Sequence, residues 1–269
     1  MKLGDYLLFS DVDGTLLPYV SGGVPQRNIE AIERFIEKGG RFGIATGRSR
    51  TSAEEFIKLL PVNAPCVILN GVGLYDYSAG EYLMKHFLPE EAKGYVKQIM
   101  ADLPDVSALV VVDEDYYHLN PNVQFESFTS EYRKRFKGET AETMAVKWGK
   151  ALFSGKSGPL EKLRKYIGAQ DFKDVRFVET NETLIELLPH GLSKGSALEK
   201  LASIKGYKRE NVAAIGDYYN DFEMLEYAGV SATVADAPDD IKAVCDYVAG
   251  KCEDGAVADF IEYLESICE

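Results

Sequence analysis

With 269 residues and 46% hydrophobic content, the chain can build one large domain or two smaller ones with proper cores, and it is too apolar for intrinsic disorder. Its net charge of -13, from 30 basic against 43 acidic residues, excludes the clustered Lys and Arg that hold nucleic acid or an anionic membrane, so neither is expected as a partner. An anionic substrate then needs locally positive potential from a metal, Lys, Arg or helix N-termini, against the sign of the whole molecule.

The first residues, Met1 to Asp5, contain no apolar stretch long enough for a signal peptide, and no window approaches a membrane span, so a cytoplasmic location is expected. Leu7 to Phe9 reads as a short buried strand that ends on Asp11-Val12-Asp13-Gly14-Thr15. If the strand continued, Asp11 and Asp13 would share a face. At ~4 Å and an effective dielectric of ~20 their repulsion is roughly 4 kcal/mol, which a cation or a proton must offset. Asp-x-Asp-Gly-Thr has a chance on the order of 10⁻³ of arising in a chain of ordinary composition.

Beyond a loop at Pro18 to Pro25, Ile29, Ile32 and Ile36 recur at helical spacing until Gly39-Gly40 stops them. Phe42 to Ala45 is a second buried strand, ending on Thr46-Gly47-Arg48. Thr51 with Glu54 reads as a capping box opening a helix that closes before Pro61. A third strand, Cys66 to Leu69, ends on Asn70-Gly71. Alternating strands and helices predict an α/β fold, a doubly wound parallel sheet of Rossmann-like type, whose ligands collect beyond the carboxyl ends of its strands. Each of these three ends carries polar residues.

The pattern changes near Leu83. A helix over Glu90 to Ala101 leads to a hairpin, Ala108–Val112 with Tyr116–Leu119, turning at Asp113-Glu114-Asp115. The unit recurs in outline: a strand at Ala151 to Phe153, a helix face of Leu160, Leu163 and Ile167, and a hairpin of Val175–Val178 with Leu184–Leu188 around Asn181-Glu182. This predicts an α+β lobe, 84–187, inserted into a core of 1–83 and 188–269. The aromatic stretch between, Tyr116, Tyr117, Phe125, Phe128, Tyr132, Phe136 and Trp148, is read as lobe core rather than substrate wall.

The parallel pattern returns with Leu192-Ser193-Lys194-Gly195, opening a helix with Leu198, Leu201 and Ile204. The strand Val212 to Ile215 ends on Gly216-Asp217-Tyr218-Tyr219-Asn220-Asp221. Phe222, Leu225 and Ala228 continue as a helix, Val230 to Val234 as a strand, and Val257 to Leu264 as a closing helix. Cys66, Cys245, Cys252 and Cys268 form no Cys-x-x-Cys pair and have no neighbouring His, so reduced structural thiols are expected.

In a doubly wound sheet the acids after the first strand, Thr46, Lys194, and the acids after the fourth parallel strand meet at one edge. Oxygen ligands without His or Cys suit a hard cation, and one that keeps open positions for phosphate oxygens and water points to Mg²⁺ rather than Ca²⁺. With these elements in order, the chain resembles the haloacid dehalogenase superfamily over nearly its full length, and in particular its Cof-type phosphatases of subclass IIB, whose cap lobe lies between the second and third motifs. Asp11 to Thr15 matches the first motif, Thr46-Gly47-Arg48 the second, Lys194 the third, and Gly216 to Asp221 the fourth.

The resemblance implies a Mg²⁺-dependent phosphatase of a small phosphorylated metabolite, a sugar phosphate or similar, working through an aspartyl-phosphate. Asp11 is implied as nucleophile and metal ligand, and Asp13 as general acid and then base, with its main-chain carbonyl reaching the metal. Asp217 completes the ligands, with Asp221 supporting that shell or orienting Lys194. Thr46, Gly47, Lys194 and Asn220 are implied to hold the phosphate oxygens, with Asn70 beside them. Arg48 reads equally as a phosphate or substrate contact and as a surface charge. Tyr218-Tyr219 stands where relatives often carry small residues. His86, His118 and His190 fit no metal or triad spacing. A hexose phosphomutase of the same subclass is the alternative activity. A receiver-type signalling domain is disfavoured by Gly14-Thr15 and the inserted lobe, and a dead binding protein by the filled catalytic positions. A monomer or weak homodimer is expected.

Overall fold

The structure, a computed structural model, describes residues 2–19, 23–128, 133, 135–138 and 141–268. Val20, Ser21 and Gly22 of the first loop, and Tyr132 of the aromatic stretch, lie outside them. The chain divides into two units, one running to Met84 and resuming at Ser193, the other Lys85–Leu192.

In the first unit, β1 (Leu7–Ser10) is buried at every position, as a strand covered on both faces must be, which is why its sequence is an unbroken apolar run. It is followed by α1 (Gln26–Glu37), β2 (Arg41–Ile44), α2 (Arg50–Ile57), β3 (Cys66–Ile68), β4 (Gly73–Asp76) and β5 (Glu81–Lys85). α1 buries Ala31, Ile32 and Phe35, and left-handed Gly39 ends it. Two features differ from the sequence expectation. α2 begins at Arg50 behind Ser49, so Thr51 sits inside the first turn and does not cap it. β3 meets the parallel sheet through a single bridge, Ala45 to Val67, and otherwise pairs antiparallel with β4 in a separate sheet ordered β3-β4-β5. The cause is local: Leu69, Asn70 and Gly71 are all left-handed, with φ of 52°, 54° and 98°, and reverse the chain.

The second unit comprises α3 (Ala92–Asp102), β6 (Ser107–Val112), β7 (Asp115–His118), β8 (Lys137–Gly138), α4 (Ala141–Ala145), β9 (Lys150–Ser154), α5 (Ser157–Gly168), β10 (Val175–Asn181) and β11 (Leu184–Pro189). Its sheet runs β10-β11-β9-β6-β7-β8, antiparallel except for β7 with β8. One face, through Ala108, Val110, Ala151, Phe153, Ile185 and Leu187, packs on Val96 and Ile99 of α3 and Leu160 and Leu163 of α5. The alternating residues Lys150 and Glu186 fall on the other face, where they form a buried ion pair at 2.6 Å. Tyr116, Phe125 and Trp148 are buried, with Phe125 and Trp148 each 1% exposed, and Phe125 stacks on half-buried Phe128 with Phe136 nearby, so these three of the aromatic stretch are core. The unit ends later than 187 because Leu188 and Pro189 pair with Arg176 and Val175.

The first unit resumes with α6 (Lys194–Lys205), β12 (Val212–Gly216), α7 (Phe222–Tyr227), β13 (Val230–Thr233), α8 (Asp239–Lys242), β14 (Tyr247–Val248) and α9 (Ala256–Ile267). Its sheet is parallel in the order β14-β13-β12-β1-β2. The chain leaves β1 toward β2 and later returns to β12 on the other side, so a topological switch point lies between β1 and β12. Ser10 is level with Ile215 and with Ile44, which brings the residues that follow these three strands to one edge. Among the described residues no helix is long and apolar enough to cross a membrane.

Candidate active site

The Asp11 N–H donates to the Ile215 carbonyl and the Ala45 N–H to that of Ser10, both at 2.9 Å, so the chain emerges from β1 with Asp11 between the ends of β12 and β2. The strand stops there, and Gly14 turns the chain at φ +93°. A side chain at Gly14 would strike the Asp217 carboxylate and the Tyr19 ring, so the turn requires glycine. With no strand beyond Ser10 the two acids do not stay paired, and each has its own partner.

Asp11 is buried against Lys194 Nζ, which also donates to Asp221 Oδ1 at 2.6 Å. Asp11, Asp217 and Asp221, all buried, bring carboxylate oxygens within 4.8 Å of one another. Asp13 is gripped by Arg48 through Nε at 2.8 Å and Nη2 at 2.6 Å, and that guanidinium lies 4.3 Å over the Phe56 ring. Three of the four expected carboxylates therefore converge, while Asp13 retains its main-chain carbonyl as what it can offer a cation. Arg48, open between two readings in the sequence, is a fork on Asp13.

Each converging acid is fixed by the backbone around it. Asp221 Oδ2 accepts the N–H groups of Asp217 at 3.0 Å and Tyr218 at 3.3 Å, and a Cβ on Gly216 would run into its carboxyl group. Asp217 accepts from Thr15 Oγ1 at 3.0 Å and from the Tyr19 hydroxyl at 3.2 Å. Thr46 is fully buried, and its Oγ1 accepts the Arg48 N–H at 3.1 Å, so its own hydroxyl proton is available to a ligand. Asn220 Nδ2 donates to Asn70 Oδ1 at 3.2 Å. Thr15, Tyr19 and Phe56 were not singled out by sequence; Thr15 alone carried a signal, inside the Asp-x-Asp-Gly-Thr string.

The electrostatics follow from three carboxylates facing one ammonium. Burial holds the Asp11 carboxyl well above the usual carboxylate range, and the charges of Asp221, Asp217 and Asp13 add to this against the opposing Lys194. Burial first and Asp221 second push Asp217 up to about 7. Burial alone favours neutral Lys194, but Asp11 and Asp221 outweigh it and keep it charged, above the ordinary lysine value. The converging donors are all carboxylate oxygens, so the set fits a hard divalent cation such as Mg²⁺. The cysteines offer nothing comparable, since burial pushes the Cys66 and Cys252 thiols up to about 12.

A sequence profile of haloacid dehalogenase-like hydrolases matches residues 8–261. The chain belongs to this family. Among its relatives, pyridoxal phosphate phosphatase YbhA of Escherichia coli is 28% identical, over 93% of this chain and 95% of the relative. The Bacillus subtilis 5-amino-6-(5-phospho-D-ribitylamino)uracil phosphatase YitU is 24% identical, over 99% of this chain and all of that protein, 100%. A haloacid dehalogenase-like hydrolase from Bacteroides thetaiotaomicron has the same fold, with a TM-score of 0.79 at 24% identity over 96% of this chain and 99% of the other. The α/β core and the second, α+β unit accord with this membership.

Proposed function

We propose that this chain is a Mg²⁺-dependent phosphatase of a small phosphorylated metabolite, acting through an aspartyl-phosphate on Asp11. It is a phosphoric monoester hydrolase. The observation that carries the finer reading is the separation of the two motif acids: Asp11 lies in a buried cluster with Lys194, and Asp13 is held by Arg48. The different partners of the two acids support reading Asp11 as the nucleophile and Asp13 as the proton carrier.

In this reading Asp11 Oδ attacks the phosphorus in line while Asp13, with one carboxyl oxygen kept by Arg48 and the other released from it and protonated, gives its proton to the leaving alkoxide. Asp13, now a carboxylate, takes a proton from the water that opens the aspartyl-phosphate. Lys194 and the Thr46 hydroxyl, with the Gly47 N–H and Asn220, oppose the charge on the phosphoryl oxygens. Asp11, Asp217 and the Asp13 carbonyl would hold Mg²⁺, with Asp221 behind them. When bound, the ion neutralises charge on the phosphoryl group and orients it. The named relatives act on pyridoxal phosphate and on a ribitylaminouracil phosphate, which supports a small phosphorylated metabolite as substrate. Chain order inserts Lys85–Leu192 between Arg48 and Lys194, and we assign leaving-group choice to that unit. Exchanging it for a relative's is expected to change the preferred ester in a phosphate-release screen while metal dependence stays; an unchanged preference would place selectivity in the core loops.

Phosphate release from sugar phosphates, nucleotides, pyridoxal phosphate and phosphoglycolate, with and without a chelator, tests the proposal. Activity is expected only with Mg²⁺, and full activity in chelator contradicts it. Stability reports the same site. A carboxyl raised on folding stabilises below its unfolded pKa and loses that contribution as pH rises through its folded value, here about 7 for Asp217. The chelated protein should therefore melt lower at pH 8 than at pH 5, and Mg²⁺ should raise Tm more at pH 8. Equal Mg²⁺ shifts at both pH values would argue against binding by these acids. Arg48→Ala is expected to lower kcat by roughly 10- to 100-fold by releasing Asp13, and Arg48→Lys to recover little, since an ammonium cannot make the fork. Steady-state kinetics decide; wild-type kcat in both variants would show that Asp13 needs no holding.

A further inference from the structure

We infer that the turn Leu69-Asn70-Gly71 is a positioning device for the phosphate-binding groups, with Asn70 setting Asn220 against Gly47; this rests on the phosphatase reading above. The turn has three consecutive left-handed residues, two of them not glycine. A bulky Leu at φ 52° is an outlier, and such conformations persist only where the surroundings impose them, most often at functional sites.

What imposes it here is a set of contacts to three of the four motifs. The Leu69 N–H donates to the Arg48 carbonyl and the Asn70 N–H to that of Thr46, both at 3.0 Å, so the turn is laced to both ends of Thr46-Gly47-Arg48. The Asn70 amide lies over Gly47, where a Cβ would sit 3.0 Å from its Nδ2, and its Oδ1 accepts from Asn220. A Cβ on Gly71 would collide with the Ser193 carbonyl and come 3.1 Å from the Lys194 nitrogen. One reversal thus registers the second motif, the start of the helix bearing Lys194, and Asn220 of the fourth. Asn70, 1% exposed, is in this account a positioning residue, and its amide acts through Asn220 and the Gly47 loop.

Asn70→Gly is the informative variant, because glycine keeps the left-handed backbone and removes only the amide. Its Tm should stay near wild type while kcat falls by roughly 10- to 100-fold. Affinity for orthovanadate, a mimic of five-coordinate phosphorus, should fall more than affinity for inorganic phosphate, both by calorimetry with Mg²⁺ present. The double variant Asn70→Gly/Asn220→Ala should be no slower than the slower single variant, since the two side chains act as one unit. Wild-type kcat in Asn70→Gly, or effects that multiply in the double variant, overturns the inference and leaves the phosphatase reading standing. A wild-type chain that releases no phosphate from any ester overturns both.

Discussion

Asp11→Asn is expected to abolish turnover and to leave no phosphoenzyme, because an amide oxygen is a poor nucleophile. The change is nearly isosteric, and Lys194 keeps Asp221 as a partner at 2.6 Å, so the fold should survive. Asp13→Asn should behave differently, slowing both formation and hydrolysis of the intermediate by roughly 10² to 10⁴ if proton transfer is its role. The contrast is measured by rapid quench with a labelled ester: no label on the protein in Asp11→Asn, and slow, prolonged labelling in Asp13→Asn. Near-normal turnover in Asp11→Asn would sink the covalent mechanism.

Lys194→Met should be the most damaging change to the fold itself. Lys194 is fully buried between Asp11 and Asp221, and removing it leaves buried carboxylates facing each other without their counter-charge. Deleting one partner of a buried pair costs about 3–5 kcal/mol, a large part of a typical domain's stability. Denaturant unfolding in chelator should show this loss. Adding Asp221→Asn to Lys194→Met should return part of it, because one of the stranded charges is gone. Two losses that simply sum would mean that Lys194 and Asp221 stabilise the fold independently, against the geometry.

The core was legible where burial constrains sequence most. β1 and β12 are covered on both faces, so each is a short apolar run, and an acid directly after such a run has little reason to be there except chemistry. That is how Asp11 and Asp217 stood out, while Asp221 and Lys194 were legible only through the order of motifs in the family resemblance. Less legible was anything set by a turn. Asp11 and Asp13 part company because the strand stops at Ser10, and spacing of two does not say where a strand stops. Arg48 has its partner 35 residues away in Asp13, and no periodicity links them. β3 pairs with β4 rather than extending the parallel sheet because of two left-handed non-glycine residues, Leu69 and Asn70, of which the leucine has no turn signature. Tyr19 reaches Asp217 from a loop without pattern. In the second unit Tyr116, Phe125 and Trp148 could be assigned to core, but Lys150 and Glu186 gave no sign that they would be buried together.

The central claim, covalent catalysis on Asp11, is tested most directly by acid quench of the Mg²⁺-loaded Asp13→Asn variant during turnover, followed by mass spectrometry of the tryptic peptide Leu3–Arg27. The account predicts a phosphoryl group on that peptide, localised to Asp11, that disappears when the quench is delayed past substrate exhaustion and that is missing in chelator. Phosphate release at the same rate with the peptide unmodified at every time point would contradict it.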